Sequence, residues 1–359
     1  MIAVLPAHNE ASSVGAAIAA LRGQTAWPDR VIVVCDNCTD ETAEVALAAG
    51  AEVWQTVGNA DKKAGALNQA LDRLLPGLDS EDTILIQDAD SVLNRDFAKT
   101  ALDRIALGAS AVGGVFRAQS PGNILEHFQA NEYTRYAREL SRTGRVMVLT
   151  GTASVMTVDA LRQVRKARGN VLPGRCGDIY DRDALTEDNE LTLALKSLGH
   201  KLNSPQACEV STEVMPTVAD LMRQRIRWYR GALDNLRIYG WTPVTRRYWG
   251  QQLMLAIGVV AMWLYLLMTG LAVVAGEFAF EPWWLALGGL FWVERVVTAR
   301  RSTPTGVLLA ALFIPELVYD ALLQVAFVRA AWQSLTGAEA SWHHIDAPGR
   351  PAQPRVTEV

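Results

Sequence analysis

Two aspartates follow an apolar run in the stretch ILIQDAD at positions 84 to 90. In an extended chain, side chains two positions apart point to the same side, so Asp88 and Asp90 bring two like charges together. A divalent cation would offset their repulsion, because carboxylate oxygens are the ligands that Mg²⁺ and Mn²⁺ prefer, and the cation could then bind a phosphate. For an isolated D-x-D, the alternative is a solvated strand end with two surface acids.

Polar side chains also follow two earlier apolar runs. The first run ends in PAHNE at positions 6 to 10, and the second ends in CDN at positions 35 to 37. A further acidic segment, TEDNEL at positions 186 to 191, has the Thr and the first-turn acids of a helix start. Capping alone would explain that last segment.

Short apolar runs alternate with helical patterns over the first 90 residues. The runs are IAVL from position 2, RVIVVC from 30, AEVWQTV from 51 and TILIQD from 83. The helical patterns lie near 12–21, 42–49 and 64–74. Strands spaced by helices in this way predict βαβ units and a parallel sheet covered on both faces. Ligands in such folds bind at the carboxyl ends of the strands, where the polar segments stand.

Composition and missing motifs exclude several classes of protein. The net charge of −4 and the pI near 5.8 argue against a protein that coats nucleic acid. No G-x-G-x-x-G loop follows the first strand and no P-loop is present, which disfavours dehydrogenases and P-loop NTPases. Cys35 and Cys38 have C-x-x-C spacing, but no second pair completes a zinc site. Reduced thiols in the cytoplasm are the default, with a redox pair as the minor alternative.

The middle of the chain predicts a long helix over 122–142, followed by a loop rich in Gly, Arg and Asp over 166–183. Residues 217–240 then predict a second long helix, in which apolar residues alternate with five arginines. A basic helix with aromatic residues can lie in a membrane interface, its cations near lipid head groups. It can equally pack on the core with a solvated basic face. The apolar segment just downstream favours the interface.

The C-terminal third has the character of a membrane region. Nine of the eleven tryptophans lie from Trp228 onward. Residues 253–275 carry no charge, and this segment is long enough to span a bilayer. Residues 283–297 and 307–328 are weaker candidates because they contain charges, and one of them could be re-entrant or lie flat.

Charges around these segments predict their orientation. Arg246 and Arg247 precede the first span, whereas the loop over 276–282 has only acids, so the first domain should be cytoplasmic. The apolar run at the N-terminus is too short for a signal peptide. We therefore expect an integral plasma-membrane protein. Acids within the later segments are candidates for a function because their burial in lipid is costly, with pairing to Arg295 or between protomers as the alternative. They are Glu294, Glu316 and Asp320.

Seven segments, taken in order, carry a resemblance to a known family. They are PAHNE (6–10), DNCTDET (36–42), KAGALNQAL (63–71), QDADS (87–91), TGTASVM (150–156), TEDNELTLAL (186–195) and QRIRW (224–228). The chain resembles the inverting family 2 glycosyltransferases, most of all the membrane-bound branch with synthases of cellulose, hyaluronan, chitin and poly-N-acetylglucosamine. The resemblance implies an α/β fold with a GT-A type, Rossmann-like mixed sheet and helices on both faces. Interfacial helices and a C-terminal transmembrane helical region would follow.

The resemblance also implies the chemistry of the acids. The sugar of a nucleotide-sugar, expected to be a UDP-sugar, would be transferred to an acceptor that is a saccharide or is linked to a lipid, and the nucleoside diphosphate would leave. Asp90 would bind Mg²⁺ or Mn²⁺ directly, with Asp88 nearer the ribose or the metal waters. Asp188 would be the general base. Glu187 would cap the helix or orient a neighbouring group.

Further residues take binding roles by the same resemblance. Asp36 would bind the uracil base, and Lys63 would supply a positive charge. The nucleotide would be framed by Pro6, Ala7, His8 and Glu10. For Lys63, a solvated loop lysine is the alternative.

The Q-x-x-R-W element and one loop would serve the acceptor. With Gln224 in the same element, Arg227 would bind the diphosphate as a planar fork and Trp228 would stack on an acceptor sugar. Thr150, Gly151 and Thr152 correspond to a loop near the acceptor.

Two departures from the family leave alternatives open. The segment WHHIDAPGR (342–350) only faintly resembles the family's gating segment, whose W-x-x-T-x-R is not intact. No span precedes the catalytic domain and about three at most follow it, fewer than a secretion channel uses. Homo-oligomerisation, a short product or a lipid acceptor would reconcile this. The rivals are a non-processive enzyme acting on a lipid or polyprenyl phosphate, a catalytically silent nucleotide-binding scaffold, and a transporter. The apolar region of this chain lacks the paired internal repeats expected of a transporter.

The predicted domains are a GT-A domain over 1–216, interfacial helices over 217–250, a transmembrane region over 251–331 and a tail over 332–359.

Overall fold

The computed structural model of the chain describes residues 1–279 and 282–338. The predicted gating segment at 342–350 and most of the predicted tail lie outside the described residues.

Ten strands form two sheets. They are β1 (Ile2–Ala7), β2 (Arg30–Cys35), β3 (Glu52–Gln55), β4 (Thr83–Gln87), β5 (Val92–Leu93), β6 (Ala111–Gly113), β7 (Val115–Ala118), β8 (Ala153–Thr157), β9 (Leu202–Asn203) and β10 (Glu209–Thr212). Seven of them form a sheet in the order β3-β2-β1-β4-β8-β6-β9, and β5-β10-β7 form a small second sheet.

Twelve helices are described. They are α1 (Val14–Arg22), α2 (Thr42–Ala48), α3 (Lys62–Leu74), α4 (Phe97–Ala106), α5 (Ile124–Thr143), α6 (Val158–Ala167), α7 (Glu187–Ser197), α8 (Val218–Tyr239), α9 (Arg246–Ala275), α10 (Pro282–Ala299), α11 (Pro304–Leu312) and α12 (Ile314–Thr336), with a 3-10 turn at Leu75–Gly77.

The large sheet is covered on both faces, as the alternating pattern predicts. Alternate residues of each strand point to opposite sides, so Val4 and Leu5 enter different apolar clusters. Helices α3, α6 and α7 cover one face, and α1, α2 and α4 cover the other. The carboxyl ends of the parallel strands are therefore left open at one edge.

The sheet is mixed, because β8 runs antiparallel to both β4 and β6. Strands β1 to β4 are parallel, as the βαβ pattern predicts. β8 follows the long helix α5 and an irregular loop, so no regular βαβ crossover sets its direction. Its register pairs Gln87 with Ala153, and the Asp88 N–H donates to the Thr152 carbonyl at 3.1 Å. The reversed strand thus brings the 150–152 loop beside the two aspartates.

The basic helix α8 packs on protein along part of its length. Arg225 and Arg230 are buried. Arg225 pairs with Glu132 at 2.9 Å, and Arg230 pairs with Asp234 at 3.2 Å. These two arginines therefore stabilise the fold instead of facing lipid. The interfacial position of the helix as a whole stays a prediction.

Helix α9 is the one helix in the described ranges that is long and apolar enough, alone, to cross a membrane. The weaker candidate over 307–328 is not one straight helix, and its bent form is compatible with a broken span or with the re-entrant segment that the sequence left open. It consists of α11 and α12, which meet at an angle of 90°. Phe313, with φ of 61°, separates the two helices. Pro315 favours a break there, since proline lacks an N–H and its ring would clash with the carbonyl four residues earlier in a continuous helix.

Two of the three acids predicted in the apolar region form ion pairs. Arg295 lies 3.4 Å from Glu316 and 2.5 Å from Asp320. Arg135 of α5 binds Glu316 at 2.6 Å. Glu316 and Asp320 thus pair with Arg295, which was the alternative to a functional role for these acids. The same contacts tie the C-terminal helices to the catalytic domain.

Candidate active site

Lys63 joins the two acidic segments at the open edge of the sheet. Asp88 follows β4, Lys63 lies in the first turn of α3 and Glu187 begins α7. The Lys63 Nζ lies 2.6 Å from Asp88 Oδ1 and 3.0 Å from Glu187 Oε1. Although burial acts in the opposite direction, these two carboxylates hold the pKa of Lys63 well above its ordinary value. Lys63 is therefore a charged part of the site and not a solvated loop lysine.

Asp188 has the environment of a proton acceptor. Its Oδ2 accepts from the Gly151 N–H at 3.0 Å and its Oδ1 from the Asn189 N–H at 2.7 Å. Burial and the Glu187 charge raise the pKa of Asp188 to about 6, against the opposing effects of Lys63 and the two N–H groups. A carboxylate with this pKa is ionised at pH 7 and still basic enough to take a proton.

The adjacent Glu187 differs from Asp188 in the direction of its pKa shift. Burial opposes ionisation, but Lys63 and Arg227 hold the pKa of Glu187 below its ordinary value. Glu187 is thus a fixed anion that positions Lys63. The two acids of the TED segment have separate electrostatic roles, although their positions in the sequence differ by one.

The loop over 150–152 lies close to the base. A Cβ on Gly151 would lie 3.1 Å from the Lys63 Nζ and 3.3 Å from Asp188 Oδ2. The hydroxyls of Thr150 and Thr152 lie 3.0 Å apart, and Thr150 Oγ1 donates to the Gly114 carbonyl at 3.2 Å. The absence of a side chain at position 151 lets the backbone N–H reach the carboxylate.

Asp90 lies among other acids. Its Oδ1 accepts from Ser91 Oγ at 2.9 Å. Burial, then the charges of Asp88 and Glu10, raise the pKa of Asp90 to about 7, and Glu213 adds to the effect. Excess negative charge on hard oxygen atoms fits Mg²⁺ or Mn²⁺. No three His, Cys, Asp or Glu side chains within 1–279 and 282–338 form a ready-made metal site, so diphosphate oxygens and water would complete the coordination.

Asp36 is buried at the end of β2, in a cradle of polar side chains. Its Oδ1 accepts from Thr56 Oγ1 at 2.8 Å, Asn59 Nδ2 at 2.8 Å and Asn37 Nδ2 at 3.1 Å. These three bonds fix the orientation of the carboxylate. Among the described residues, none donates a hydrogen bond to Oδ2, which leaves that oxygen for a ligand.

The end of β1 lies beside Asp36. The His8 Nδ1 is 2.6 Å from the Asp36 carbonyl oxygen, and Glu10 accepts from Ser13 Oγ at 2.6 Å. Pro6 and Ala7 are buried in β1. Burial raises the pKa of Glu10, an effect that Ser13 opposes and that Glu213 and Asp88 reinforce. The structure thus places the PAHNE segment between Asp36 and the acid pair.

The Q-x-x-R-W element faces the same edge from α8. The charge of Arg227 lowers the pKa of Glu187. It also opposes the rise in the pKa of Asp88 that burial and Glu187 cause. Arg227 therefore lies close enough to interact with both acids. Trp228 is half-buried, and the Arg225 guanidinium carbon lies 4.2 Å from the centre of its ring. Gln224 accepts from Arg225 Nη1 at 3.0 Å.

Sequence reasoning missed three kinds of participant. Glu213 follows β10, outside any motif, and reaches Asp90 only because the small sheet packs there. Thr56 and Asn59 orient Asp36 from a loop 20 and 23 residues away. Arg225 lies inside the Q-x-x-R-W element but was given no role, and only its burial and its contact with Trp228 indicate one.

The fold and the site together define an enzyme of the GT-A glycosyltransferase class. Asp88 and Asp90, the polar cradle around Asp36 and the separate carboxylate of Asp188 meet at the carboxyl edge of a mixed sheet. The family model described as "Glycosyltransferase like family 2" matches residues 1–231. The chain belongs to this family.

Relatives and solved structures agree with this membership. The chain is 24% identical over 280 residues to poly-beta-1,6-N-acetyl-D-glucosamine synthase of Staphylococcus aureus, a match that covers 74% of this chain and 62% of the relative. It is 23% identical over 259 residues to the Staphylococcus epidermidis enzyme of that name, over 67% of this chain and 56% of the relative. The chain thus spans about three fifths of the length of these relatives.

A solved structure confirms the fold. It is a mannosyltransferase from Pyrobaculum calidifontis in complex with GDP-Man and Mn²⁺, with a TM-score of 0.57 and 18% identity. The match covers 94% of this chain and 87% of that one.

Proposed function

We propose that the chain is a membrane-anchored, metal-dependent, inverting glycosyltransferase that transfers a sugar from a UDP-sugar to a saccharide acceptor, as polysaccharide synthases do. The observation that carries the proposal is the position of Asp188. Its carboxylate accepts from the Gly151 N–H at 3.0 Å, and the next residue of that loop, Thr152, accepts from the Asp88 N–H at 3.1 Å through its carbonyl. Lys63 pairs with both Asp88 and Glu187, the residue that precedes Asp188. A base on one side and a phosphate-binding edge on the other are what a single displacement with inversion requires.

The donor would lie along the ends of β1, β2 and β4. Asp36 Oδ2 would accept from the N–H of uracil, with His8 and Glu10 flanking the nucleotide. Asp90, with Asp88 beside it, would hold Mg²⁺ or Mn²⁺. When bound, the cation neutralises charge that develops on the departing diphosphate.

The protein's own residues would perform the remaining steps. Arg227 would bind the diphosphate through two parallel N–H groups, and Lys63 would add a second positive charge. Asp188 would accept the proton of the acceptor hydroxyl while the oxygen of that hydroxyl attacks the anomeric carbon. The C–O bond to the diphosphate breaks on the opposite face, so the new linkage has inverted configuration. The contribution of such a base is about 10² to 10⁴ in rate.

The acceptor would approach from α8, where Trp228 offers a flat apolar surface to a sugar ring. The relatives in Staphylococcus are named poly-beta-1,6-N-acetyl-D-glucosamine synthase, which favours an N-acetylglucosamine polymer as the first acceptor to test. A non-processive reaction on a lipid or polyprenyl phosphate is the second candidate. It is favoured because α9 is the one helix in the described part of the chain that qualifies alone as a span.

We further propose that α9 anchors the enzyme in the plasma membrane with its catalytic domain in the cytoplasm, where nucleotide-sugars are made. Arg246 and Arg247 at the start of α9 support this orientation. Lipids would contact its exposed apolar surface. A homo-oligomer would supply the additional helices that a polymer channel needs.

The test uses the full chain purified in detergent with Mn²⁺ or Mg²⁺. UDP-N-acetylglucosamine, UDP-glucose and GDP-mannose are supplied in turn, with an N-acetylglucosamine pentasaccharide or undecaprenyl phosphate as acceptor. Mass spectrometry of an extended pentasaccharide would support the first candidate, and a glycosylated lipid phosphate would support the second. Nucleotide binding with no transfer from any donor would instead indicate a silent scaffold.

A further inference from the structure

Arg225 is a buried cation within the acceptor-binding element, and the reaction proposed above gives it no direct role. Its side chain is 1% exposed, so it touches neither solvent nor a diphosphate. Its guanidinium carbon lies between two aromatic rings, 4.2 Å from the centre of Trp228 and 5.9 Å from that of Tyr133. Stacking of this kind fixes the plane of the indole ring.

A single carboxylate stabilises this cation. Glu132 of α5 accepts from Arg225 Nη2 at 2.9 Å through its Oε2. Arg225 Nη1 donates to Gln224 Oε1, whereas Arg225 Nε has no hydrogen-bond partner among the described residues. A buried guanidinium that depends on one acid moves if that acid moves.

The same carboxylate oxygen also binds the C-terminal helices. The Tyr319 hydroxyl of α12 donates to Glu132 Oε2 at 2.6 Å. The Tyr319 ring stacks on Phe128 of α5, with centres 5.2 Å apart and planes 19° apart. Glu132 is therefore held from two sides, by Arg225 on the acceptor helix and by Tyr319 on a helix of the predicted membrane region.

We propose that Tyr319, Glu132 and Arg225 form a positioning relay that sets Trp228 and Gln224 for the acceptor according to how α12 sits on the catalytic domain. The three are positioning residues, since none touches the reacting atoms. Seating of α12 fixes Glu132, Glu132 fixes Arg225, and Arg225 fixes the indole plane. Acceptor use thus depends on the C-terminal helices, while the donor pocket at the strand ends does not. This inference rests on the proposed function.

The experiment compares Tyr319→Phe and Glu132→Gln with the wild-type chain in detergent, with UDP-N-acetylglucosamine and an N-acetylglucosamine pentasaccharide as probes. Tyr319→Phe keeps the ring stacked on Phe128 and removes only the hydroxyl. We expect the KM for the pentasaccharide to rise about three- to tenfold in Tyr319→Phe and more in Glu132→Gln. The KM for the donor and the slow hydrolysis of donor without acceptor should stay at wild-type values.

Tyr229→Phe is the matched control. Tyr229 lies at the same contact of α8 with α12, its ring meets Phe327 with centres 5.6 Å apart, and its hydroxyl makes no hydrogen bond within the described residues. This variant should leave the KM for the pentasaccharide unchanged. If Glu132→Gln fails to fold, Tyr319→Phe and the double variant Tyr319→Phe/Tyr229→Phe still test the relay. The double variant should have the same KM for the pentasaccharide as Tyr319→Phe alone.

Wild-type acceptor KM in a folded Tyr319→Phe variant would overturn the relay. So would equal changes in donor and acceptor KM, since they would indicate general loosening of the fold. Failure of the proposed function looks different, because the wild-type chain itself would then transfer no sugar.

Discussion

The proposed donor side and the proposed acceptor side of this active site are built in different ways. On the donor side, Asp36, Asp88 and Asp90 follow strand ends and Lys63 lies at the start of a helix, so local elements position these residues, and Arg227 of α8 is the exception. On the acceptor side, Trp228 is supported by contacts that join residues far apart in the chain. Arg225 and Glu132 are 93 positions apart, and Tyr319 and Glu132 are 187 apart. A donor pocket of this kind is resistant to changes in the C-terminal helices, whereas the acceptor surface depends on them.

The strongest test of this comparison removes the base that lies between the two sides. Asp188→Asn keeps the shape of the side chain and its contact with the Asn189 N–H, but cannot take a proton. We expect kcat to fall by about 10² to 10⁴ with nucleotide binding unchanged, measured by product release and by calorimetry with UDP. Asp183→Asn, an exposed change five positions earlier, is the control. Substantial turnover by a folded Asp188→Asn chain would remove Asp188 from the role of base.

The second test acts on the donor side alone. Removal of divalent cations with EDTA, or the Asp90→Asn change, should lower kcat/KM more than about a hundredfold, since a bound cation stabilises the leaving group by several kcal/mol. Excess Mn²⁺ should restore the EDTA-treated wild-type chain but not the variant. Full activity in EDTA would contradict a metal-dependent reaction.

The third test uses pH. Asp188 is active when it is deprotonated, and its pKa is about 6, so kcat/KM should fall about tenfold for each pH unit below that value. The Glu187 charge contributes to the raised pKa. Glu187→Gln should therefore move this acid limb to lower pH, although it also frees Lys63 from one partner. An acid limb that keeps its position in this variant would show that another group controls it.

The smallest expected effect concerns the packing of α8 on the start of α7. A Cβ on Gly231 would lie 2.4 Å from Thr186 Oγ1, so Gly231→Ala must push the two helices apart. We expect the free energy of unfolding to fall by about 1 to 3 kcal/mol, with a rise in acceptor KM and little change in donor KM. Gly250→Ala in α9 is the control, since a Cβ there meets nothing within 4 Å. Equal stability of the two variants would show that α8 is not held at this point.

The sequence predicted the strands and the positions of the acids at their ends, because these signals are local. Residues 83–87 are an apolar strand whose end is marked by Asp88 and Asp90, and α3 begins at Lys62 just before the predicted lysine. The sheet face of each strand residue follows from the alternation of side chains. Pro315, beside the break between α11 and α12, was also visible in the sequence, which left open a re-entrant segment.

The sequence by itself determined the alternating strands and helices, the acids at the strand ends and the apolar length of α9, because each depends on residues within about one element of one another. Tertiary structure alone decided the direction in which the pKa of each acid shifts. Glu187 and Asp188 are neighbours and both are buried, yet Lys63 and Arg227 hold the pKa of Glu187 below its ordinary value, while burial and the Glu187 charge raise that of Asp188. It also decided that two arginines of α8 are buried, and that the hydroxyl of Tyr319 reaches the carboxylate that holds one of them. Electrostatic interaction and burial depend on distance in space, and pairs separated by most of the chain leave no local pattern in the sequence.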